Sequence, residues 1–455
     1  MSSIFVQIAS YKDPQLIPTL QDLVKQAEKP KHLNIVVCWQ HGEEQSFEDF
    51  LDAGFDIKGY NHYKHCDTDG EKSEFDVLEC ALNGSNIEFI SVDYTQTRGA
   101  CWARNLIQQF YKGEKYTFQL DSHHRFIEGW DTTLIQMLES LRKKSPKPVL
   151  TGYLPSFDPE NDPEGRILYP YQTDFDRFIP EGAVFFLPSE MTNWKELDHP
   201  IRARFYSGHF AFADGTFAEE VQHDPDYFFH GEEISIAARA FTHGYDLYTP
   251  HKVVAWHEYT RKGRDKVWDD HTPEAKKTKG IKKDWIERNN LSHKRNRILF
   301  GMDGEDPNQI DFGKYGFGKA RTLREYEEYA GINFKLRGVQ QHTLDRKEPP
   351  HPFMSITERD WESTFLKSND VRINVHKDEF EGIPDNIAFC FVGVHDADGK
   401  ELHRKDLTAG EFYKKLESEW LDYPYICITS TKPVSYTVWP YTKNGVWLKK
   451  IVKRI

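Results

Sequence analysis

Short apolar strands alternate with amphipathic helices along the first 150 residues, and this alternation most constrains the fold. Five runs are predicted to be buried strands: IFVQIA at 4–9, LNIVVCW at 33–39, IEFISV at 87–92, YTFQLD at 116–121 and PVLTGY at 148–153. Helices are predicted between them at about 14–28, 99–111 and 130–141. This order is typical of a mainly parallel, doubly wound α/β sheet. Such sheets bind ligands beyond the carboxyl ends of their strands.

The remainder of the chain has a different character. Residues 40–86 are polar and are expected to be irregular, and 155–182, rich in Pro, Asp and Tyr, are expected to form a long loop. From about 371 short strands follow one another, and Asn444-Gly445 is a hairpin signal. We predict three regions: an α/β catalytic domain at 1–290, an extension packing on it at 291–345, and a C-terminal β-rich, sandwich-like domain at 346–455.

Composition excludes some classes of function. A chain of 455 residues is expected to form two or three domains, and its net charge of −13 argues against a nucleic-acid partner. No signal peptide and no transmembrane segment is visible in the sequence. The six cysteines are scattered without a Cys-x-x-Cys pair, so reduced thiols are expected. These features predict a cytoplasmic protein; they leave its oligomeric state open.

The stretch YTFQLDSHHRF at 116–126 ends a predicted strand with potential metal ligands. Asp121 and His123 follow the apolar run directly, separated by Ser122. A carboxylate oxygen together with an imidazole suits Mn²⁺ or a similar divalent ion. The alternative is a solvated turn in which Asp121 caps the next segment, and the motif alone does not decide between them.

Further polar residues lie at the ends of other predicted elements. His257, within WHEYTR, follows a later strand and is either a third ligand or a histidine packed beside Trp256. Glu232 and Glu233 open a predicted helix. The helix dipole favours acidic residues at this end, so a capping role is the simpler account of both. In TRGACWARN, Arg98 and Arg104 flank a helix start that could face an anion, or they are solvated arginines.

The order of these segments resembles that of the GT-A glycosyltransferases, which use nucleotide-sugar donors. TFQLDSHHRF is similar to the Asp-x-His motif of the retaining polypeptide N-acetylgalactosaminyltransferases, and GHFAFADGTFAEEVQHDPDYFFHGEEISIAARAFTHG is similar to their later glycine, strand, Gly-Glu and helix segment. SYKDP and TRGACWARN more closely resemble the N-acetylglucosaminyltransferases that modify hydroxyproline, a family with bacterial and eukaryotic members. The resemblance covers residues 1–335 and implies a GT-A, Rossmann-like fold.

The resemblance also implies roles for individual residues. It implies that Mn²⁺ (or Mg²⁺) is bound by Asp121, His123 and His257, and that Asp121, Glu232 and Glu233 serve catalysis, the two glutamates as alternatives for contacting sugar hydroxyls. The implied donor-binding residues are Ser10, Tyr11, Asp13 and Arg98 at the uridine, Arg104, Ser122 and Arg261 toward the diphosphate, and Gly208 and His209 at the sugar.

The implied activity is a metal-dependent transfer of GlcNAc from UDP-GlcNAc, with retention, onto a hydroxyl of a protein or glycan acceptor. Phe229-His230-Gly231 stands where the family has Trp-Gly-Gly, which leaves the donor sugar open between GlcNAc, GalNAc and a simple hexose. Two alternatives also remain open. One is a metal-dependent hydrolase with an activated water, and the other is a catalytically inactive carbohydrate- or nucleotide-binding protein.

Overall fold

The protein is described by a computed structural model that covers residues 3–66, 70, 72–260, 263–349 and 358–455. These residues form two compact units. The first takes in the described residues of Met1–Asp176, Glu181–Ala330 and Arg346–Phe353, and the second those of Arg177–Pro180, Gly331–Asp345 and Met354–Ile455. None of the helices in these ranges is long and apolar enough to cross a membrane.

Strands β1 to β14 occur between residues 4 and 257. They are β1 (Ile4–Tyr11), β2 (Leu33–His41), β3 (Asp56–Cys66), β4 (Lys72–Leu82), β5 (Ser85–Asp93), β6 (Tyr116–Asp121), β7 (His124–Phe126), β8 (Pro148–Thr151), β9 (Tyr171–Phe178), β10 (Val184–Glu190), β11 (Ile201–Arg202), β12 (Phe210–Asp214), β13 (Asp246–Thr249) and β14 (Ala255–His257). Ten of them form one sheet in the order β11-β13-β8-β12-β6-β1-β2-β5-β4-β3, and β9–β10 and β7–β14 form two small sheets.

The helices of the first unit connect and cover these strands. They are α1 (Leu16–Gln26), α2 (Glu48–Asp52), α3 (Ala100–Gln108), α4 (Trp130–Ser140), α5 (Phe217–Glu220), α6 (Glu232–Thr242), α7 (Val267–Asp270), α8 (Pro273–Thr278), α9 (Trp285–Phe300) and α10 (Leu323–Ala330). The predicted helices at 14–28, 99–111 and 130–141 correspond to α1, α3 and α4. Their presence between β1, β2, β6 and β8 confirms the α/β class.

The centre of the large sheet is parallel. β6, β1, β2 and β5 are parallel neighbours, while β12 on one side and β4 on the other are antiparallel to this block. Alternate residues of β1 enter two separate apolar clusters: Val6 packs with the residues of α1 and α4, and Phe5 packs with those of α3. Because both faces are buried, the strand sequence is apolar almost throughout, as is typical of a central strand between two helical layers.

The small β7–β14 sheet brings together two segments that are far apart in sequence. Its antiparallel pairing places His257 opposite His124, three residues after the end of β6. The residues that follow the carboxyl end of β6 are thereby set beside the end of β14. The candidate ligands of the two segments consequently share one edge of the sheet.

The second unit is rich in β-strands, as predicted for the C-terminal region. Its strands from residue 332 onward are β15 (Ile332–Asn333), β16 (Gly338–Gln340), β17 (Phe365–His376), β18 (Ile387–His395), β19 (Glu401–Thr408), β20 (Trp420–Thr429), β21 (Ser435–Thr442) and β22 (Ile451–Arg454), and its helices are α11 (Gln341–Leu344), α12 (Glu358–Ser363) and α13 (Ala409–Leu416). Two four-stranded sheets form, in the orders β15-β16-β17-β20 and β19-β18-β21-β22. Ile373 of one sheet and Val392 of the other belong to the same buried core.

Two segments are more regular than their sequence predicts. The polar residues 56–82, expected to be irregular, form the long antiparallel pair β3–β4 at the sheet edge. Most of β3 is exposed, so its sequence lacks the apolar alternation of a half-buried strand, and pairing with β4 holds it in place. The expected loop at 155–182 likewise contains β9. The Asn444-Gly445 hairpin between β21 and β22 is confirmed.

The backbone at Gly99, just before α3, packs closely against the carbonyl group of Phe228. Its φ is +111°, and a Cβ there would lie 2.6 Å from the carbonyl oxygen of Phe228. Gly113, after the same helix, has φ +90° but no atom within 4 Å of such a Cβ. We expect Gly113→Ala to cost about 1–2 kcal/mol from backbone strain alone and Gly99→Ala to cost more, about 3 kcal/mol or above. Urea unfolding measures both, and equal losses would contradict this account of the contact with Phe228.

Candidate functional site

Three potential metal ligands converge beyond the carboxyl end of β6. Asp121, His123 and His257 each offer a ligand atom, and these atoms lie within 4.8 Å of one another. Asp121 Oδ2 is 3.5 Å from His257 Nε2 and 3.7 Å from His123 Nε2. Neither ring nitrogen of His257 makes a hydrogen bond in the part of the chain that the structure describes. One carboxylate and two imidazoles around a shared point form a donor set suited to a divalent transition-metal ion.

Asp13 holds His123 with one ring nitrogen directed toward this point. Asp13 Oδ2 lies 2.7 Å from His123 Nδ1 and accepts a hydrogen bond of 2.7 Å from Ser122 Oγ. Arg264 Nη1 lies 3.2 Å from the same oxygen and balances the charge of the carboxylate. A carboxylate behind a histidine fixes the orientation of the ring and leaves its second nitrogen for a metal. Asp13 and Ser122 therefore act on the cluster through His123 in this structure.

Arg104 joins the cluster to the start of α6. Its Nη2 lies 2.6 Å from Asp121 Oδ1, and its Nη1 forms an ion pair with Glu232 Oε1. His223 Nδ1 lies 3.0 Å from the same Glu232 oxygen. The Arg104 side chain is 6% exposed, so these charge-assisted hydrogen bonds are shielded from water.

The surrounding charges keep both carboxylates ionised despite their burial. Burial opposes the charge on Asp121, but Arg104 and the neighbouring histidines outweigh it and hold the pKa of this carboxyl well below its usual range. Burial likewise opposes the charge on Glu232, and Arg104 and His223 lower its pKa to about 2. Burial lowers the pKa of His257 well below its usual value, so this imidazole is neutral near pH 7. Ionised Asp and neutral His are the protonation states that bind metal ions.

Glu233 occupies a different environment from its neighbour. Its Oε1 accepts a hydrogen bond of 2.8 Å from the Gly208 N–H, and its Oε2 accepts one of 2.9 Å from the Tyr153 hydroxyl. Burial raises the pKa of Glu233 to about 7, with the negative charge of Glu232 adding to the effect. The two adjacent glutamates thus differ in charge state near neutrality, one ionised and the other partly protonated.

The raised pKa of Glu233 predicts a pH dependence of stability. Because folding favours the protonated carboxyl, its contribution is full below the ordinary pKa of 4.5 and is lost as the pH rises to about 7. Relative to Glu233→Gln, the wild type is expected to lose unfolding free energy across this window, by at most about 1.4 kcal/mol per pH unit. Urea unfolding in EDTA between pH 4.5 and 8.5 measures the difference. Parallel pH profiles for the two proteins would contradict the assignment.

Gly208 and His209, the two residues before β12, lie against the cluster. The His209 ring stacks on His257 with centroids 4.1 Å apart, and its Nε2 accepts a hydrogen bond of 3.2 Å from the Leu154 N–H. The Gly208 carbonyl accepts a hydrogen bond of 2.7 Å from the Gln119 side chain. A Cβ at Gly208 would stand 3.0 Å from an Arg104 nitrogen, so the absence of a side chain permits the close approach of Arg104.

The remaining residues that the resemblance implies at the donor are Ser10, Tyr11, Arg98 and Arg261. Ser10 is buried at the end of β1, and its hydroxyl makes no hydrogen bond with the described residues. The Tyr11 hydroxyl donates a 2.7 Å hydrogen bond to Asp270. Arg98 lines a separate cavity near the start of α3. Arg261 lies outside the described residues.

A second group of potential ligands consists of Cys101, His223 and Glu232. Its carboxylate already interacts with Arg104 and His223. Burial, together with the charge of Glu232, raises the pKa of the Cys101 thiol well above its usual value, which keeps the sulfur protonated. A protonated thiol and a carboxylate paired to an arginine are poor metal ligands. The group around Asp121 is therefore the better candidate metal centre.

Several site residues have no signal in the sequence. His223 lies in a polar stretch and Tyr153 at the end of a predicted buried strand, and each meets its glutamate partner only through the tertiary fold. Arg264 is one of many basic residues in a charged segment. A search for basic residues shortly after His257 includes Arg264, but its pairing with Asp13 spans about 250 positions, and no local pattern indicates it.

A match to a family profile assigns the chain to a known enzyme class. The sequence profile of the family described as Glycosyltransferase (GlcNAc) matches residues 3–336. The chain belongs to this glycosyltransferase family, and the matched residues include all of the candidate metal ligands. No curated protein matches the chain in sequence.

Solved structures show similarity at low sequence identity. The structure of GalNAc-T7 with UDP, GalNAc and Mn²⁺ is 12% identical with a TM-score of 0.40; the match covers 72% of this chain and 54% of that one, so the chain spans about half the length of this neighbour. The structure of TarS of S. aureus is 10% identical with a TM-score of 0.35, and the match covers 100% of this chain and 85% of TarS. The structure of the mannosyltransferase PcManGT from Pyrobaculum calidifontis with GDP-Man and Mn²⁺ is 12% identical with a TM-score of 0.32. The match covers 57% of this chain and 58% of that one.

Proposed function

We propose that this glycosyltransferase moves GlcNAc from UDP-GlcNAc, with retention at the anomeric carbon, onto a hydroxyl of a protein or glycan acceptor. The observation that carries the proposal is the convergence of Asp121, His123 and His257 at the carboxyl end of β6, next to the Arg104–Glu232 pair. Hydroxyproline in a protein is among the acceptors that the proposal covers, because SYKDP and TRGACWARN resemble the enzymes that modify it.

The donor set of the cluster fits a divalent metal ion. Asp121 is ionised, His257 is neutral, and Asp13 directs the second ring nitrogen of His123 toward the shared point. A bound Mn²⁺ or Mg²⁺ would supply Lewis-acid neutralisation of the charge that develops on the leaving diphosphate. The buried His257 supports this assignment, since its ring nitrogens make no hydrogen bond with the described residues, its Nε2 lies 3.5 Å from Asp121 Oδ2, and a buried polar atom without a hydrogen bond is costly.

The other residues of the site are proposed to position the donor sugar. Arg104 holds the carboxylates of Asp121 and Glu232 in fixed places and keeps both charged. Glu232, ionised, is an acceptor for sugar hydroxyls, and Glu233, with its pKa near 7, can both donate and accept a hydrogen bond. Fixed polar groups around the anomeric centre suit a transfer that depends on orientation and electrostatic stabilisation.

Donor hydrolysis tests this function without a known acceptor. Purified protein is incubated with UDP-GlcNAc, UDP-GalNAc and UDP-glucose, each with Mn²⁺ and separately with EDTA, and release of UDP and free sugar is followed. We expect selective cleavage of UDP-GlcNAc that EDTA abolishes. Detection of α-GlcNAc as the first product, by NMR before mutarotation, would support retention.

The same experiment separates the alternatives. Metal-dependent binding of UDP without cleavage would favour a catalytically inactive binding protein. Cleavage of phosphate esters with no preference for a nucleotide would favour a metal-dependent hydrolase. Cleavage of UDP-GalNAc in preference to UDP-GlcNAc would keep the transferase function and correct the donor sugar.

A further inference from the structure

A basic cavity lies in the first unit, apart from the candidate metal centre. Its volume is about 480 Å³, and the charged side chains that line it are Arg98, Lys283, Arg288, Lys294, Arg295 and Asp226. Five of these six carry positive charge, whereas the whole chain has a net charge of −13. Positive charge is therefore concentrated at this concave surface, although the net charge of the protein is negative.

The cations come from several elements and converge on the cavity. Arg288 and Arg295 are seven residues apart on α9 and so share one face of the helix, while Lys283 precedes the helix and Arg98 precedes α3. Arg295 is fixed by Asp224, whose Oδ2 lies 2.6 Å from its Nε. The ammonium groups of Lys283 and Lys294 form no ion pair within the described part of the chain. Cations that line one concave surface repel one another, and a bound anion relieves that repulsion.

The cavity is built on the two segments that also supply the candidate active site. Arg98 stands six residues before Arg104, and Phe228, another lining residue, stands four residues before Glu232. The two segments touch at Gly99, where the backbone passes close to the Phe228 carbonyl. Arg104 lies four residues into α3, about 6 Å along the helix axis from Ala100, so the segment that lines the cavity at Arg98 runs directly into the one that carries Arg104 at the candidate site.

We propose that this cavity binds a phosphate group carried by the acceptor substrate. Arginine and lysine side chains grouped around a concave surface bind phosphate through charge-assisted hydrogen bonds. The volume is that of a small-molecule site and exceeds what a lone phosphate fills, so the occupant is a phosphorylated organic molecule. The identification of the ligand as the acceptor rests on the proposed function. The binding of a phosphate group in the cavity does not depend on turnover.

Calorimetric titration of the full chain with glucose 6-phosphate, a small sugar phosphate, tests the proposal. Glucose and pyrophosphate serve as comparison ligands, and EDTA is present throughout to prevent metal-dependent binding at the donor site. The test variant is Lys283→Glu with Lys294→Glu, both exposed residues outside the candidate active site. The matched control is Lys143→Glu with Lys144→Glu, two exposed lysines after α4.

We expect the wild type and the control to bind glucose 6-phosphate equally, the test variant to bind it at least about tenfold more weakly, and glucose not to bind. Equal affinity in all three proteins, or no binding by the wild type, would overturn the proposal. Binding of pyrophosphate without glucose 6-phosphate would identify a site for free anions and would also overturn it. If the transferase function fails, UDP-GlcNAc is not cleaved by any of the proteins while glucose 6-phosphate binding is unaffected, so the two failures are distinguishable.

Discussion

Asp121→Asn is expected to lower metal-dependent cleavage of UDP-GlcNAc by at least about 1,000-fold, since Lewis-acid assistance of this kind contributes several kcal/mol to the barrier. The substitution keeps the size of the side chain but removes the negative charge from the cluster. It also removes one of the two carboxylates that Arg104 contacts. Release of UDP under saturating Mn²⁺ measures the loss.

The control for this prediction is Asp52→Asn, which alters an exposed aspartate on α2. Its activity is expected to equal that of the wild type. Circular dichroism and thermal unfolding establish that Asp121→Asn is folded under the assay conditions. Full activity in folded Asp121→Asn would remove the cluster from the chemistry and contradict the account of the metal centre.

Arg104→Met is expected to destabilise the protein by about 3–5 kcal/mol, the usual cost of leaving a buried charge without its partner. The carboxylates of Asp121 and Glu232 would then lie close together without the cation between them. Urea unfolding in EDTA measures the loss of unfolding free energy. Arg142→Met is the matched control, because Arg142 pairs with Asp214 at a half-buried surface position and is expected to cost about 1 kcal/mol or less.

A double variant tests the electrostatic origin of that loss. Adding Glu232→Gln to Arg104→Met removes one of the two unbalanced charges, so the double variant is expected to be more stable than Arg104→Met alone. If the double variant is instead less stable by the full cost of both single changes, the loss arises from packing. That result would contradict the claim that Arg104 serves to neutralise the two carboxylates.

Local patterns in the sequence predict the elements that place the site. β6 is an apolar run that ends in Asp121, and α6 begins at Glu232 as the helix signals indicate. Such features depend on a few neighbouring residues, because burial and helix capping act over short stretches. The resemblance to glycosyltransferases adds the expectation that His257 joins Asp121 and His123, and the structure places these residues together.

Contacts between distant segments are not encoded in local patterns. The ion pair between Arg104 and Glu232 spans 128 positions, and solvated arginine and helix-capping glutamate are equally consistent with the sequence around each. The contact of Asp13 with His123 spans 110 positions. The basic cavity combines Arg98 with residues of α9 in the same way. These arrangements follow from the packing of the sheet and its helices, and they become visible only in three dimensions.

Crystals grown with UDP and Mn²⁺ provide the most direct test of the central claim, through an anomalous difference map recorded at the manganese edge. The account predicts one strong peak at coordinating distance from Asp121, His123 and His257, in contact with the diphosphate of UDP. A peak at Cys101, His223 and Glu232, or no peak at the three predicted ligands with UDP bound, would contradict it.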